Sequence, residues 1–136
     1  MKINQVEELT GITRKNIRFY EEEGLISPKR NPANGYREYS LQDVDHLNRI
    51  RLLRRLGISC EDIRNMQEGK IDMAQCLDSR LATIAHHQRD LMHSRQICEE
   101  LMQEKTSFAQ LNASAYLEKM KELEKIYNHK RVEDKI

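Results

Sequence analysis

Short segments of mixed apolar and polar residues, each bounded by a capping residue and a glycine, make up the first half of the chain. All five glycines and both prolines lie before residue 70, whereas residues 70–136 contain neither residue type. Polar N-caps followed by glycines predict four short helices, because these residues mark helix starts and stops. The four helices begin near Asn4, Thr13, Ser40 and Ser59 and end near Gly11, Gly24, Gly57 and Gly69.

The segment between the second and third helices is typical of a β-hairpin. Its Asn34-Gly35 pair is a strong signal for a two-residue type I′ turn, in which both residues take positive φ. The flanking residues that suit a short two-stranded ribbon are Leu25, Ile26, Tyr36 and Tyr39. The first half is therefore predicted to fold as helix-turn-helix, ribbon, helix and helix.

A heptad pattern runs from about Met73 to Lys105. One of its two seam positions is apolar throughout, and the other is interrupted by Gln88 and Arg95. The tail that follows is too short to cover this stripe, so we expect the helix to form a homodimer. The expected dimer contacts are Leu77, Leu81, Ile84, Leu91, Cys98 and Met102. The alternative is a solvated helix that packs on its own N-terminal domain.

A last helix, capped by Asn112, is predicted to carry Tyr116, Met120, Leu123 and Tyr127 on one face. The predicted fold class is all-α with a small β-hairpin wing. Its parts are a winged helix-turn-helix head at residues 1–70, a long coiled-coil dimerisation helix at residues 71–108, and a short C-terminal helix and tail at residues 109–136.

Composition excludes several classes of protein. No apolar stretch approaches the length that spans a bilayer, and the N-terminus lacks an apolar signal core. Three cysteines in a highly charged chain favour a reducing cytoplasm over a disulfide framework. The chain also has no glycine-rich phosphate loop, zinc-protease motif or recognisable Ser/His/Asp set. We therefore expect a cytoplasmic protein that is not an enzyme, binds no cofactor and does not enter a membrane.

Candidate chemistry is concentrated at the start of the second helix. Projection at about 100° per residue places Arg14, Lys15 and Arg18 in one arc with Phe19 beside it. This arc lies roughly opposite the side that carries Thr13, Ile17 and Tyr20. Cations at a helix N-terminus oppose the helix dipole, which favours anions there, so the cluster indicates a polyanionic partner. In a helix-turn-helix, the N-terminal residues of this helix enter the DNA major groove.

Further charges extend and limit this surface. The ribbon adds Lys29, Arg30, Tyr36 and Arg37, and the third helix adds Arg49, Arg51, Arg54 and Arg55. Basic residues near a hairpin tip are typical of a wing that grips backbone phosphate. Three glutamates at residues 21–23 would repel phosphate, so only the N-terminal half of the second helix is expected to enter the groove. The net charge of the whole chain is only +1, so the prediction depends on where the cations cluster.

Residues 3–69 resemble the DNA-binding head of the mercury-resistance-regulator (MerR) family of bacterial transcription factors. The resemblance is carried by Thr10-Gly11-Ile12-Thr13, Ile17-Arg18-Phe19-Tyr20-Glu21, Glu23-Gly24-Leu25-Ile26, Gly35-Tyr36-Arg37-Glu38-Tyr39-Ser40, Leu56-Gly57-Ile58-Ser59 and Glu61-Asp62-Ile63. The long helix after residue 70 is also similar to the antiparallel dimerisation helix of that family.

The resemblance implies a dimer that binds a near-palindromic operator in double-stranded promoter DNA and distorts it, so that RNA polymerase engages both promoter elements. It implies DNA contacts from Thr13, Lys15 and Arg18, approach to the backbone by Phe19 and Tyr20, and phosphate contacts from Tyr36 and Arg37. Arg14, Arg54 and Arg55 are added from their own charge. The sequence departs from the family pattern at two positions. Lys15 stands where the family usually has Arg, and Phe19 stands where Tyr is common.

The effector is not identified by the sequence. Cys76 could form a zinc or copper site with His86, His87 or His93 across the dimer, but structural cysteines and solvated histidines are the preferred interpretation, so no metal site is predicted. Two other functions stay open. One is a coiled-coil interaction adaptor, and the other is an excisionase-like factor that bends DNA without responding to an effector.

Overall fold

The computed structural model describes the backbone of residues 1–134 and the side chains of residues 1–126. It contains two compact units, Met1–Leu81 and Ala82–Ile136, whose boundary falls inside the longest helix. The predicted division at residues 70 and 108 stays a prediction.

Within residues 1–134 the structure is helical apart from one hairpin, which confirms the predicted fold class. The elements, in chain order, are α1 Ile3–Thr10, α2 Arg14–Glu22, β1 Lys29–Arg30, β2 Arg37–Glu38, α3 Leu41–Arg55, α4 Cys60–Gln67, α5 Met73–Glu104, a 3₁₀ turn at Phe108–Gln110, and α6 Ala113–Asp134.

Three of the predicted N-caps are confirmed. The hydroxyl oxygens of Thr13, Ser40 and Ser59 each accept a hydrogen bond from the backbone N–H three residues on, at 3.0–3.2 Å. These bonds satisfy N–H groups that have no partner inside the helix. The predicted start of the first helix is wrong, because α1 begins after Lys2 rather than after Asn4.

The hairpin is real, but its predicted two-residue turn is wrong. Lys29 pairs with Glu38 and Arg30 pairs with Arg37, so residues 31–36 form a longer loop. Gly35 has a φ of +72°, and residue 34 is not among the residues with positive φ. The Asn31 side-chain oxygen accepts from the residue 33 amide at 2.8 Å, and such local bonds let asparagine shape a turn without positive φ.

One hydrophobic core holds the first unit together. Its buried members come from the helices between α1 and the first turn of α5 and from the segments that connect them: Val6, Ile12, Ile17, Tyr20, Leu25, Ile26, Tyr39, Val44, Leu47, Ile50, Ile58, Ile63 and Cys76. Leu25 and Ile26 therefore serve the core and not the ribbon. Leu9 of α1 and Leu56 after α3 lie outside this core and are exposed.

Two contacts attach the start of α5 to the rest of the first unit. The Cys76 side chain is buried in the core. The Arg80 Nε–H donates to the Leu56 carbonyl oxygen at 2.6 Å, at the end of α3. The turn between α3 and α4 is therefore held by a side chain of the long helix.

In the second unit, α6 runs back along the end of α5. Tyr116 hydrogen-bonds Glu104 and Lys119 pairs with Glu100, so later residues of α6 meet earlier residues of α5. The Glu104 carboxylate raises the pKa of Tyr116 to about 12, because the hydrogen bond favours the protonated phenol.

The structure describes the predicted N-cap of α6 and three of the four residues predicted to share one face of this helix. Asn112 caps the helix, since its side-chain oxygen accepts from the Ala115 amide at 3.2 Å. Tyr116, Met120 and Leu123 are half-buried, whereas the Tyr127 side chain lies outside the described residues. Among the described residues no helix is long and apolar enough to cross a membrane.

The core predicts a clear contrast between two leucines of α3. Leu47 is 0% exposed and Leu41 is 72% exposed. Leu47→Ala should lower the free energy of unfolding by about 2–5 kcal/mol, because it removes buried methyl groups and leaves a cavity. Leu41→Ala is the matched control and should change stability by less than about 0.5 kcal/mol. Urea unfolding at one fixed protein concentration measures both, and equal losses would contradict the placement of α3.

Candidate nucleic-acid interface

Helix α2 faces the core with one side and solvent with the other. Ile17 is fully buried, whereas Arg14, Lys15 and Arg18 are exposed. Thr13 caps the helix, so it too lies at the exposed N-terminal end. The structure thus brings the predicted cations together on the outer surface of α2.

Arg14 is held by a neighbouring carboxylate. Its Nε donates to Glu7 Oε1 at 3.0 Å, and its backbone N–H donates to Glu7 Oε2 at 2.9 Å. The backbone bond from Arg14 is the largest cause that lowers the pKa of Glu7, so this carboxylate is ionised. Glu7 on α1 therefore neutralises the first cation of α2 and fixes the angle between the two helices.

Lys15 and Arg18 differ from Arg14 in this respect. Within the part of the chain whose side chains are described, neither residue forms an ion pair or a hydrogen bond through its side chain. Their charges are therefore available to a partner. These two cations are the strongest candidates for DNA contact on α2.

The two aromatic residues of α2 differ in their exposure to solvent. Tyr20 is only 8% exposed and belongs to the core, so the expectation that its ring approaches the DNA backbone is corrected. Phe19 is exposed and its ring centroid lies 5.9 Å from that of Tyr20. A residue on the far side of a helix cannot reach a groove that its neighbour faces, so Phe19 alone stays a candidate.

The acidic end of α2 is largely neutralised. Glu21 pairs with Arg37 at 2.9 Å, and Glu23 pairs with Arg64 at 2.9 Å. The Arg64 guanidinium also donates to the Glu23 carbonyl oxygen, which ties α4 to the end of α2. Of the three glutamates, only Glu22 is left as an exposed charge. The repulsion expected from this run is therefore smaller than the sequence suggests.

The wing presents both polar and aromatic groups. Tyr36 is strongly exposed in the loop, and Arg30 is exposed with one guanidinium N–H donated to the Gly35 carbonyl oxygen at 3.0 Å. Arg37, by contrast, is half-buried because Glu21 holds its guanidinium. The phosphate contact expected of Arg37 therefore competes with an ion pair already made.

A cleft of about 280 Å³ joins these elements. It is lined by Lys2, Ile3, Arg18, Arg30, Gly35, Tyr36, Arg37 and Tyr39. Four of these side chains are cationic and none is a carboxylate. Lys2 was missed by the sequence analysis, since only the fold brings the residue before α1 beside the wing.

The two arginines expected from α3 lie apart from this cleft. Arg54 donates to the Ile58 carbonyl oxygen at 3.0 Å and so closes the turn into α4. Arg51 similarly donates to the Thr10 carbonyl oxygen. Arg55 is exposed, and no described side chain pairs with it. A DNA contact from Arg54 would compete with its turn-closing bond, while Arg55 stays a prediction.

Comparison with known proteins identifies the head. The family profile described as "MerR HTH family regulatory protein" matches residues 1–70. The chain belongs to the MerR family. It is accordingly a DNA-binding transcriptional regulator, and its helix-turn-helix consists of α1 and α2.

Curated relatives extend the MerR assignment beyond the head. The HTH-type transcriptional regulator CueR of Escherichia coli O6:H1 is 33% identical over 102 residues, which cover 70% of this chain and 76% of the relative. HmrR of Rhizobium leguminosarum bv. viciae is 33% identical over 109 residues, or 75% of this chain and 84% of the relative. A crystal structure of a MerR family transcriptional regulator from Listeria monocytogenes is 24% identical, with a TM-score of 0.44 and coverage of 96% and 98%.

MerR-family regulators bind DNA as dimers, and α5 carries an exposed apolar face suited to pairing. Leu77, Leu81, Leu91, Cys98 and Met102 are exposed along it, and Ile84 is half-buried. Ile97, which points to roughly the opposite side of the helix, is buried. The exposed apolar face of α5 is thus the one that the heptad pattern assigned to the dimer.

Cys76 and the histidines of α5 are the candidate ligands for a metal site across the dimer. Within one chain, the described residues contain no group of three His, Cys, Asp or Glu side chains placed to hold a metal ion. Burial raises the pKa of the Cys76 thiol, which disfavours the thiolate that metals bind. His86 instead approaches Asp90 at 3.5 Å on the exposed surface.

The open face of α5 generates a test of dimerisation. Leu91 on α5 and Leu117 on α6 are both 59% exposed. Leu91→Glu should convert the dimer to monomers, because it places a charge inside the paired face. Leu117→Glu makes the same chemical change away from that face and should leave the dimer intact. Sedimentation equilibrium measures both, and a persistent Leu91→Glu dimer would refute this interface.

Proposed function

We propose that this MerR-family chain binds a twofold-symmetric promoter operator as an antiparallel homodimer and regulates transcription by distorting the DNA. The observation that carries the proposal is the cationic cleft, where unpaired Arg18 of α2 meets Arg30 and Tyr36 of the wing. One surface therefore offers a groove-reading helix and phosphate-binding groups together.

The distribution of charge supports a division of labour across this surface. Lys15 and Arg18 project from the N-terminal half of α2 and suit the major groove, where base edges are read. Lys2, Arg30 and Tyr36 line the cleft beside it and suit the flanking phosphates. Lysine gives a point charge rather than a planar fork, so Arg18 is the stronger candidate for bidentate base contact.

Dimerisation explains how two such surfaces act on one operator. Two heads carried on paired α5 helices present two copies of α2, and a twofold dimer requires two half-sites. MerR-type distortion adds the sequence dependence of DNA bending to direct readout. In this proposal the chain acts in the cytoplasm, has no catalytic activity of its own, and influences RNA polymerase through the shape of the promoter.

The proposal predicts unequal effects for the arginines of α2. Arg18 is unpaired, whereas Arg14 is bound to Glu7. Arg18→Ala should weaken binding by about tenfold to a hundredfold, the loss of one base or phosphate contact. Arg14→Ala should weaken DNA binding less, because Glu7 already neutralises part of the Arg14 charge.

The measurement is fluorescence anisotropy with a duplex selected by the wild-type protein from a random library. Unchanged affinity of Arg18→Ala would rule out its role in the interface. The same titration at rising salt tests DNA binding itself, because log affinity should fall linearly with log salt as counterions are released. A protein-interaction adaptor would select no duplex and show no such slope.

A further inference from the structure

One ion pair joins the wing to the recognition helix. The Arg37 Nε–H of β2 donates to both carboxylate oxygens of Glu21 in α2, at 2.9 and 3.0 Å, and Arg37 Nη2 lies 2.9 Å from Glu21 Oε2. This fork geometry is stronger and more directional than a single contact. It fixes the position of β2 relative to the last turn of α2.

The pair is sheltered from solvent and stays ionised. The exposed fractions of the two side chains are 30% for Arg37 and 22% for Glu21. Hydrogen bonding between them lowers the pKa of Glu21 and raises the pKa of Arg37. Shielding from water makes such a contact worth more than an open surface pair.

Other polar side-chain contacts of the wing do not reach α2. Arg30 donates to the Gly35 carbonyl oxygen, and the Asn31 amide donates to Glu38 at 2.9 Å, both within the hairpin. Tyr39, just after β2, exchanges backbone hydrogen bonds with Met1. Among the described residues, the Glu21–Arg37 pair is the side-chain hydrogen bond that links the hairpin to α2.

We propose that Glu21 is a positioning residue for DNA binding, because its pair with Arg37 sets the separation between the recognition helix and the wing. This inference rests on the proposed function, since it assumes that both elements touch the same duplex. In this proposal the main role of Arg37 is to hold the wing in place through Glu21. The Glu21 carboxylate then strengthens DNA binding, although its charge has the same sign as that of the DNA.

The sign of one substitution separates this role from simple electrostatics. Removing a carboxylate near DNA should tighten binding if charge alone matters, and it would also free Arg37 for phosphate. If Glu21 positions the wing, Glu21→Ala should weaken binding by about tenfold instead. Glu22→Ala is the matched control, because Glu22 is an exposed neighbour that acts on Arg37 through its charge but forms no ion pair or side-chain hydrogen bond among the described residues. It should leave affinity unchanged or slightly higher.

Further variants keep the test decisive. Glu21→Gln retains the side-chain shape and one acceptor oxygen, so it should fold as the wild type does and bind with intermediate affinity. Arg37→Ala should weaken binding as much as Glu21→Ala, and the double variant should be no weaker than either, since each breaks the same pair. The exchange Glu21→Arg with Arg37→Glu should recover part of the lost affinity.

Anisotropy with the duplex selected by the wild-type protein measures all of these variants, and circular dichroism melting confirms that each is folded. Failure of the wild type to select or bind any duplex would overturn the proposed function. If the wild type binds but folded Glu21→Ala and Glu21→Gln bind as tightly or more tightly, the positioning role is overturned and the proposed function stands.

Discussion

Burial of the inner side of α2 determines how the head meets its partner. Ile17 has no exposed surface and Tyr20 has little, so the helix cannot rotate without opening the core. With that side fixed, Lys15 and Arg18 must face outward. A short helix with two large buried residues is oriented chiefly by hydrophobic packing, since each such side chain contributes about 1.5–3 kcal/mol when buried. The buried apolar residues of α2 therefore determine that its charged side chains point to solvent.

Ion pairs then decide which charges remain available. Three ion pairs join α2 or its C-terminal end to another element: Arg14 pairs with Glu7 of α1, Glu21 with Arg37 of β2, and Glu23 with Arg64 of α4. Each pair joins two elements as well as cancelling charge. The outcome is a surface on which Arg18 is free and the acidic end of α2 is mostly neutral. A near-zero net charge for the chain is thus compatible with a locally cationic cleft.

The two faces of α5 show a similar division. In its first turn the Cys76 side chain is buried in the head, and near its end Ile97 is buried one turn before Glu100, which pairs with Lys119 of α6. The remaining leucines stay open to solvent, although leucine is costly to expose in such numbers. Pairing with a second copy would bury them and would set the separation of the two heads. In the proposed dimer, the same helix therefore serves the fold of one chain and the assembly of two.

Local signals in the sequence were sufficient for much of this arrangement. Thr13, Ser40 and Ser59 cap helices in the structure because an N-cap acts on backbone N–H groups only three residues away. The uninterrupted run of α5 also follows from the chain itself, since residues 73–104 contain no glycine or proline. Its end at Glu104 does not follow from this signal, because the residue with positive φ there is Lys105. Membership in the MerR family likewise depends on motifs that can be read in order along the first 70 residues.

Partners that are distant in sequence could be decided only by the tertiary structure. Nothing local to residue 37 reveals that Glu21 takes its guanidinium, and nothing local to residue 2 reveals that Lys2 lines the cleft beside the wing. The hairpin turn also could not be predicted from neighbouring residues alone. The Asn34-Gly35 dipeptide favours a two-residue turn, but the structure has a longer loop in which asparagine side chains accept backbone hydrogen bonds. Short-range hydrogen bonds depend on sequence spacing, whereas burial and ion pairing depend on which elements the packed core brings together.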